Sequence, residues 1–163
     1  EATGIEAAIK WPNDVVVRGK KVAGILTEMS TDLDRIEFVV IGIGINVNTD
    51  SFPEEIREVA TSLAIEQGKE TARTPIIAAV WKQFARYEKL FEEKGSFTAL
   101  KERYEALLAN RGREVRVLDP DGEYCGVAEG ITEGGELLVR REDQSLTAVR
   151  SGEVSVRGIY GYI

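Results

Sequence analysis

An α+β fold ending in a small β-barrel is what the order of patterns in this chain predicts. β-rich runs open it, two amphipathic helices with clear stops occupy its middle, and about fifty C-terminal residues break into five short strands separated by turns. The character changes at Arg111-Gly112, which divides the 163 residues into a first unit, 1–111, and a second, 112–163. With 43% apolar residues the chain has enough to bury a real core.

In chain order, Glu1 to Ile9 reads as the tail of an amphipathic helix, and Lys10-Trp11-Pro12-Asn13-Asp14 leads into a hairpin. Its arms are Val15 to Val17 and Val22 to Met29, joined by Arg18-Gly19-Lys20-Lys21 as the turn. A second turn at Asp32 and Asp34 precedes Arg35 to Val47, whose apolar character is continuous rather than alternating; this predicts a central strand buried on both faces. Thr49 to Lys69 reads as a loop with a short helical turn near Pro53, ending at Gly68. Thr74-Pro75 has the pattern of an N-cap and first-turn proline. Ile77, Val80, Trp81, Phe84 and Phe91 then fall at helical spacing, closed by Gly95. Ser96 is placed to cap a second helix carrying Phe97, Leu100, Tyr104, Leu107 and Leu108 on one face. The barrel strands are Val115 to Leu118, Tyr124 to Ile131, Leu137 to Arg140, Leu146 to Val149 and Val154 to Val156.

Composition narrows the chemistry. A net charge of −7 argues against nucleic acid or an anionic membrane as main partner, and the second unit is acidic too. No apolar run approaches the ~20 residues of a membrane span. A single cysteine, Cys125, expected half-buried on a strand, forms no internal disulfide, and the expected compartment is the cytoplasm. With no histidine, Ser-His-Asp and Cys-His catalysis and the commonest zinc sites are excluded. Lysine, arginine, carboxylates, amides and backbone groups remain, the usual set for nucleotide and phosphate chemistry.

The polar cluster Lys10, Asp14 and Lys21 is too charged for core packing, and Asp14 and Lys21 lie close enough across the hairpin to share one pocket. Lys20 and Lys21 should point to opposite faces, so one of them shares it. Gly42-Ile43-Gly44-Ile45-Asn46 lacks the third, helix-opening glycine of a dinucleotide fingerprint. Glycines inside a strand mark a bulge or a ligand lying against the backbone. Trp11, on a strand beside a proline, is a core residue or a stacking platform.

Taken in series, Lys10-Trp11-Pro12-Asn13-Asp14, Lys21-Val22-Ala23-Gly24-Ile25-Leu26 and Gly42-Ile43-Gly44-Ile45-Asn46 resemble the catalytic domain of biotin protein ligases. The resemblance covers the whole chain and implies a mixed sheet packed by helices, of the class II aminoacyl-tRNA-synthetase-like kind and incomplete here, followed by an SH3-like barrel. It also implies a two-step ligase: biotin and MgATP give biotinyl-5′-AMP, which acylates a lysine of a biotin carboxyl carrier protein. Lys21 and Asp14 are then the catalytic candidates. Lys21, Gly24, Leu26, Gly42 and Gly44 would line the biotin slot; Asn13, Asn46 and Arg157 would contact ATP. No resident metal is implied beyond the Mg²⁺ that accompanies ATP. A homodimer is a further expectation, as is the absence of membrane or nucleic-acid partners. A lipoate–protein ligase shares the catalytic fold and stays an alternative, as does a non-catalytic partner-binding module. The family's Gly-Arg-rich biotin loop lies upstream of the Lys-Trp-Pro-Asn-Asp motif, and nine residues precede Lys10. This polypeptide alone is therefore expected neither to bind biotin tightly nor to ligate it.

Overall fold

A computed structural model describes residues 2–32, 35–119, 122–151 and 155–158. Asp34, Pro120, Asp121 and Val154, placed in turns and the last strand by the sequence, lie outside the described residues. Arg18 and Gly19 both have positive φ, 48° and 82°. That pair makes a two-residue hairpin turn whose twist matches its strands. Lys20 and Lys21 are therefore strand residues, not turn residues.

Strands β1 (Ala8–Lys10), β2 (Asp14–Val17), β3 (Lys20–Asp32) and β4 (Arg35–Ile45) form one antiparallel sheet in that order. Parallel pairing is confined to two bridges, Ile9 with Leu108 and Lys21 with Ala60. Residues 2–7 are irregular rather than helical. β4 is an edge strand, and Ile36, Phe38, Val39, Val40, Ile41 and Ile43 are exposed. The expectation of a central, doubly buried strand fails because the cover such a run calls for is not among the described residues.

Helix α1 (Leu63–Gln67) ends at Gly68 as expected but begins later than Pro53, capped by the Ser62 hydroxyl on the Ile65 amide. Helix α2 (Arg73–Lys94) starts earlier than Thr74-Pro75 implied, with Ala72 in the cap position and no side-chain cap; Gly95 closes it at φ 64°, donating to the Phe91 carbonyl. Its Ile76 is buried, whereas Ile77, Trp81, Phe84 and Phe91 are exposed. Helix α3 (Thr98–Leu107) is preceded by Phe97 rather than capped by Ser96, and Phe97 stacks edge-on against Tyr104. Among the described residues no helix is long and apolar enough to cross a membrane.

The second sheet contains β5 (Glu114–Leu118), β6 (Tyr124–Ile131), β7 (Leu137–Arg140), β8 (Leu146–Val149) and β9 (Ser155–Gly158) in the order β8-β7-β6-β5-β9. These are the five strands expected, because period-2 alternation and turn residues were both present. Cys125 is exposed, not half-buried: it pairs with Arg116 on the barrel's outer face.

Two cores result. One lies under the first sheet, with Val17, Val22, Val47, Leu63 and Ile76. The other fills the barrel with Val115, Val117, Ile131, Leu137, Val139 and Val156, and it also takes in Trp11 and Leu108 from the first unit. This core thus draws residues from both sides of Arg111-Gly112, where the sequence suggests a boundary.

Candidate active site

The site begins with a register fault. Asp14 pairs with Gly24 and Val15 with Ala23, but Val16 pairs with Lys21, so Val22 is an extra residue on β3. In an unbulged strand, Lys21 and Gly24 would face opposite sides. With the bulge they share the face that carries Asp14. Lys21 Nζ lies 2.6 Å from Asp14 Oδ1, the carboxylate nearly buried and the lysine half-exposed. Lys20 points elsewhere, its ammonium donating to the Arg57 carbonyl at 3.1 Å.

Gly24 is what makes room for this pair. A Cβ there would stand 2.9 Å from Lys21 Nζ and 3.3 Å from Asp14 Oδ1. The Lys21 backbone is also held from a second side, its N–H donating to the Val59 carbonyl and its carbonyl accepting from the Thr61 amide. Sheet and loop together hold the Lys21 backbone from both sides.

Beside the pair runs an open groove of about 520 Å³, lined by Asn13, Lys21, Gly24, Ile25, Leu26, Gly42, Ile43 and Gly44. Gly24 pairs with Gly44 and Leu26 with Gly42, which sets these four on one face. A Cβ on Gly42 or Gly44 would meet nothing closer than 3.7 Å. Internal packing therefore does not require glycine at these positions. What their missing side chains provide is a bare floor for something lying on it. Leu26 stays exposed at the rim. Gly42 and Gly44 are thus free of packing demands, whereas Gly24, which also lines the groove, is required by Lys21 and Asp14.

Asn13 lines the groove, but its amide donates to the Ile25 carbonyl at 2.7 Å, and the Ile25 N–H returns a bond to the Asn13 carbonyl. It fastens the motif to β3. Asn46 is not among the groove's lining residues; its amide donates to the Thr61 carbonyl at 3.1 Å, holding the loop that clamps Lys21. Arg157, exposed on β9 opposite Arg116, reaches electrostatically to Lys10. Burial pushes the Lys10 ammonium below the usual lysine range; Lys21 and Arg157 add to this, and Asp14 opposes it. Lys10, singled out by the sequence but given no role there, thus lies within electrostatic reach of Asp14, Lys21 and Arg157.

By sequence and by fold the chain falls in the biotin and lipoate protein ligase class. Residues 1–46 match the Biotin/lipoate A/B protein ligase family, and residues 112–157 match the Biotin protein ligase C terminal domain. The structure superposes on the biotin protein ligase of Aquifex aeolicus with a TM-score of 0.85 at 38% identity, over 96% of this chain and 67% of that one. The Aquifex aeolicus ligase in complex with biotin and ATP gives a TM-score of 0.84 at 38% identity, with 96% of this chain and 64% of that one covered. The Bifunctional ligase/repressor BirA of Bacillus spizizenii is 39% identical over 144 residues, 87% of this chain and 44% of the relative. The Biotin--[acetyl-CoA-carboxylase] ligase of Paracoccus denitrificans is 32% identical over 136 residues, 82% of this chain and 56% of the relative. The chain belongs to the biotin protein ligase family. It spans about half the length of the curated relatives it matches.

The different tasks of the glycines predict different outcomes. Crystal structures of Gly42→Ala and Gly44→Ala should keep the Lys21–Asp14 contact and narrow the groove, whereas Gly24→Ala should displace the Lys21 ammonium from Asp14. An unchanged pair in Gly24→Ala would contradict this division.

Proposed function

We propose that the intact protein joins biotin to a carrier-protein lysine through biotinyl-5′-AMP, with the hairpin groove as its biotin and adenylate site. The observation that carries this reading is the Lys21 ammonium, fixed by Asp14 at the edge of a groove floored by Gly42 and Gly44. The supporting comparison is the Aquifex aeolicus ligase with biotin and ATP.

In the first step a biotin carboxylate oxygen attacks the α-phosphorus of ATP and pyrophosphate leaves. Two anionic groups must approach one another, and charge builds on the phosphoryl oxygens. Lys21 sits where one ammonium can bridge both. Placed in advance by Asp14, the bulge and the 59–61 clamp, it stabilises that charge without reorganising at the moment of reaction. Lys10 and Arg157 face the remaining phosphates. Asn13 and Asn46 act here by holding the groove wall and the clamp. Mg²⁺ arrives with the nucleotide as part of the substrate.

In the second step the acceptor lysine's amine attacks the carbonyl carbon of the mixed anhydride, AMP leaves, and the amine gives up a proton. Asp14 is the nearby carboxylate. Asp14, fixed beside Lys21, orients the incoming amine and takes its proton. The partner is a biotin carboxyl carrier protein, and the compartment is the cytoplasm.

Two outcomes test this. Lys21→Ala in the intact protein should slow biotin-dependent pyrophosphate release by about 10²–10³-fold, the usual cost of losing one preorganised donor; an unchanged rate would overturn the reading. ATP affinity should fall on the alkaline side at a lower pH than an ordinary lysine would give, because phosphate favours the charged form of Lys10 and that form is lost early. Titration calorimetry across pH should show this limb, and Lys10→Met should remove it.

A further inference from the structure

Trp11 stands between the site and the barrel. Trp11 is 2% exposed and belongs to the barrel core, which also includes Val156, the residue before Arg157. The indole N–H donates to the Gly135 carbonyl at 3.0 Å, across the boundary between the two units. Its backbone N–H donates to Asn110 Oδ1 at 2.9 Å, and Asn110 is itself fully buried. The neighbours of Trp11 are fastened too. The Ile9 carbonyl accepts from the Ala109 amide at 2.8 Å, and the Pro12 carbonyl accepts from the Tyr104 hydroxyl at 3.5 Å. Asn13 is tied to Ile25 on the groove side.

The motif is therefore held between the barrel end of the chain and the groove. Lys10 precedes Trp11, Arg157 follows Val156, and the charges of these two cations meet although they sit on separate sheets. Their spacing is set by how the barrel seats on the first sheet. Trp11 is buried in that seat, with a directional bond at Gly135 and a second to Asn110.

We propose that Trp11 is a positioning residue that registers the barrel against the hairpin, so that Arg157 and Lys10 together present one phosphate-binding surface. The indole adds to core packing, and its N–H bond to Gly135 fixes the rotation of the barrel about that packing. Lys21 and the glycine floor lie on the hairpin itself and do not depend on the barrel's seat. Nucleotide binding is accordingly sensitive to Trp11, and biotin binding is not. This inference rests on the assignment of the phosphate subsite to Lys10 and Arg157.

The test is steady-state adenylation by the intact protein with ATP and biotin varied separately. Trp11→Phe keeps an aromatic ring in the core and removes the indole donor. It should raise KM for ATP about fivefold, the value of one hydrogen bond, with KM for biotin and kcat within about twofold. Arg157→Ala should raise KM for ATP by itself, and the double variant should be no worse than Arg157→Ala alone. Equal rises in both KM values, a fall in kcat alone, or Trp11→Phe and Arg157→Ala effects that multiply independently would overturn the proposal and leave Trp11 a packing residue. If Trp11→Phe does not fold, Asn110→Ala, which removes the acceptor of the Trp11 amide, is read by the same criteria. Arg157→Ala with normal KM for ATP would instead refute the phosphate subsite, so the two failures are distinguishable.

Discussion

One extra residue on β3 holds this site together. Val22 has no partner on β2, and its carbonyl accepts from the Asn46 amide on the other side of the strand. Because of that insertion Lys21 and Gly24 occupy the same face, the ammonium crosses the bare Gly24 backbone, and Asp14 meets it at 2.6 Å. Remove the insertion and the strand regains strict alternation, so the lysine turns away from the carboxylate. The tight Arg18-Gly19 turn is the second half of the device, since a longer turn would let the register slide. The Lys21–Asp14 placement thus rests on backbone geometry more than on any one side-chain contact.

Around that device the structure separates tasks. The floor of the groove is provided by Gly42 and Gly44, which pack against nothing that requires glycine. The cations come from two sheets: Lys10 and Lys21 from the first, Arg157 from the barrel. Lys10 is buried, so holding it charged carries a desolvation cost, which Asp14 offsets in part while Lys21 and Arg157 add to it. An anionic ligand relieves this strain among like charges. That gives a physical reason for a cluster of cations to persist in an acidic protein of net charge −7.

Much of this was legible in the residues. The barrel strands could be read because alternation and turn chemistry coincide, and Gly95 marked the end of α2. The three motifs in series identified the family, and the Asp14–Lys21 pairing followed from hairpin spacing. Other features were hidden for identifiable reasons. A bulge leaves no mark in a run such as Lys21-Val22-Ala23-Gly24, so the reason for Gly24 was not visible. Continuous hydrophobicity in β4 reported a need for burial on both faces, which the described residues do not meet. The two amides, Asn13 and Asn46, looked like ligand contacts by position, yet their amide groups fasten backbone. Trp11 was expected in a core, but the sequence could not say that the core belonged to the barrel.

The central claim is that an ammonium at the Lys21 position, over the groove, supports adenylation. Chemical rescue of Lys21→Ala in the intact protein tests it most directly, with biotinyl-5′-AMP formation measured by rapid quench as propylammonium is added. The account predicts a saturable recovery of part of the lost rate that neutral propanol does not reproduce. Recovery that is equal with both additives, or absent across the series while the variant remains folded, would contradict it.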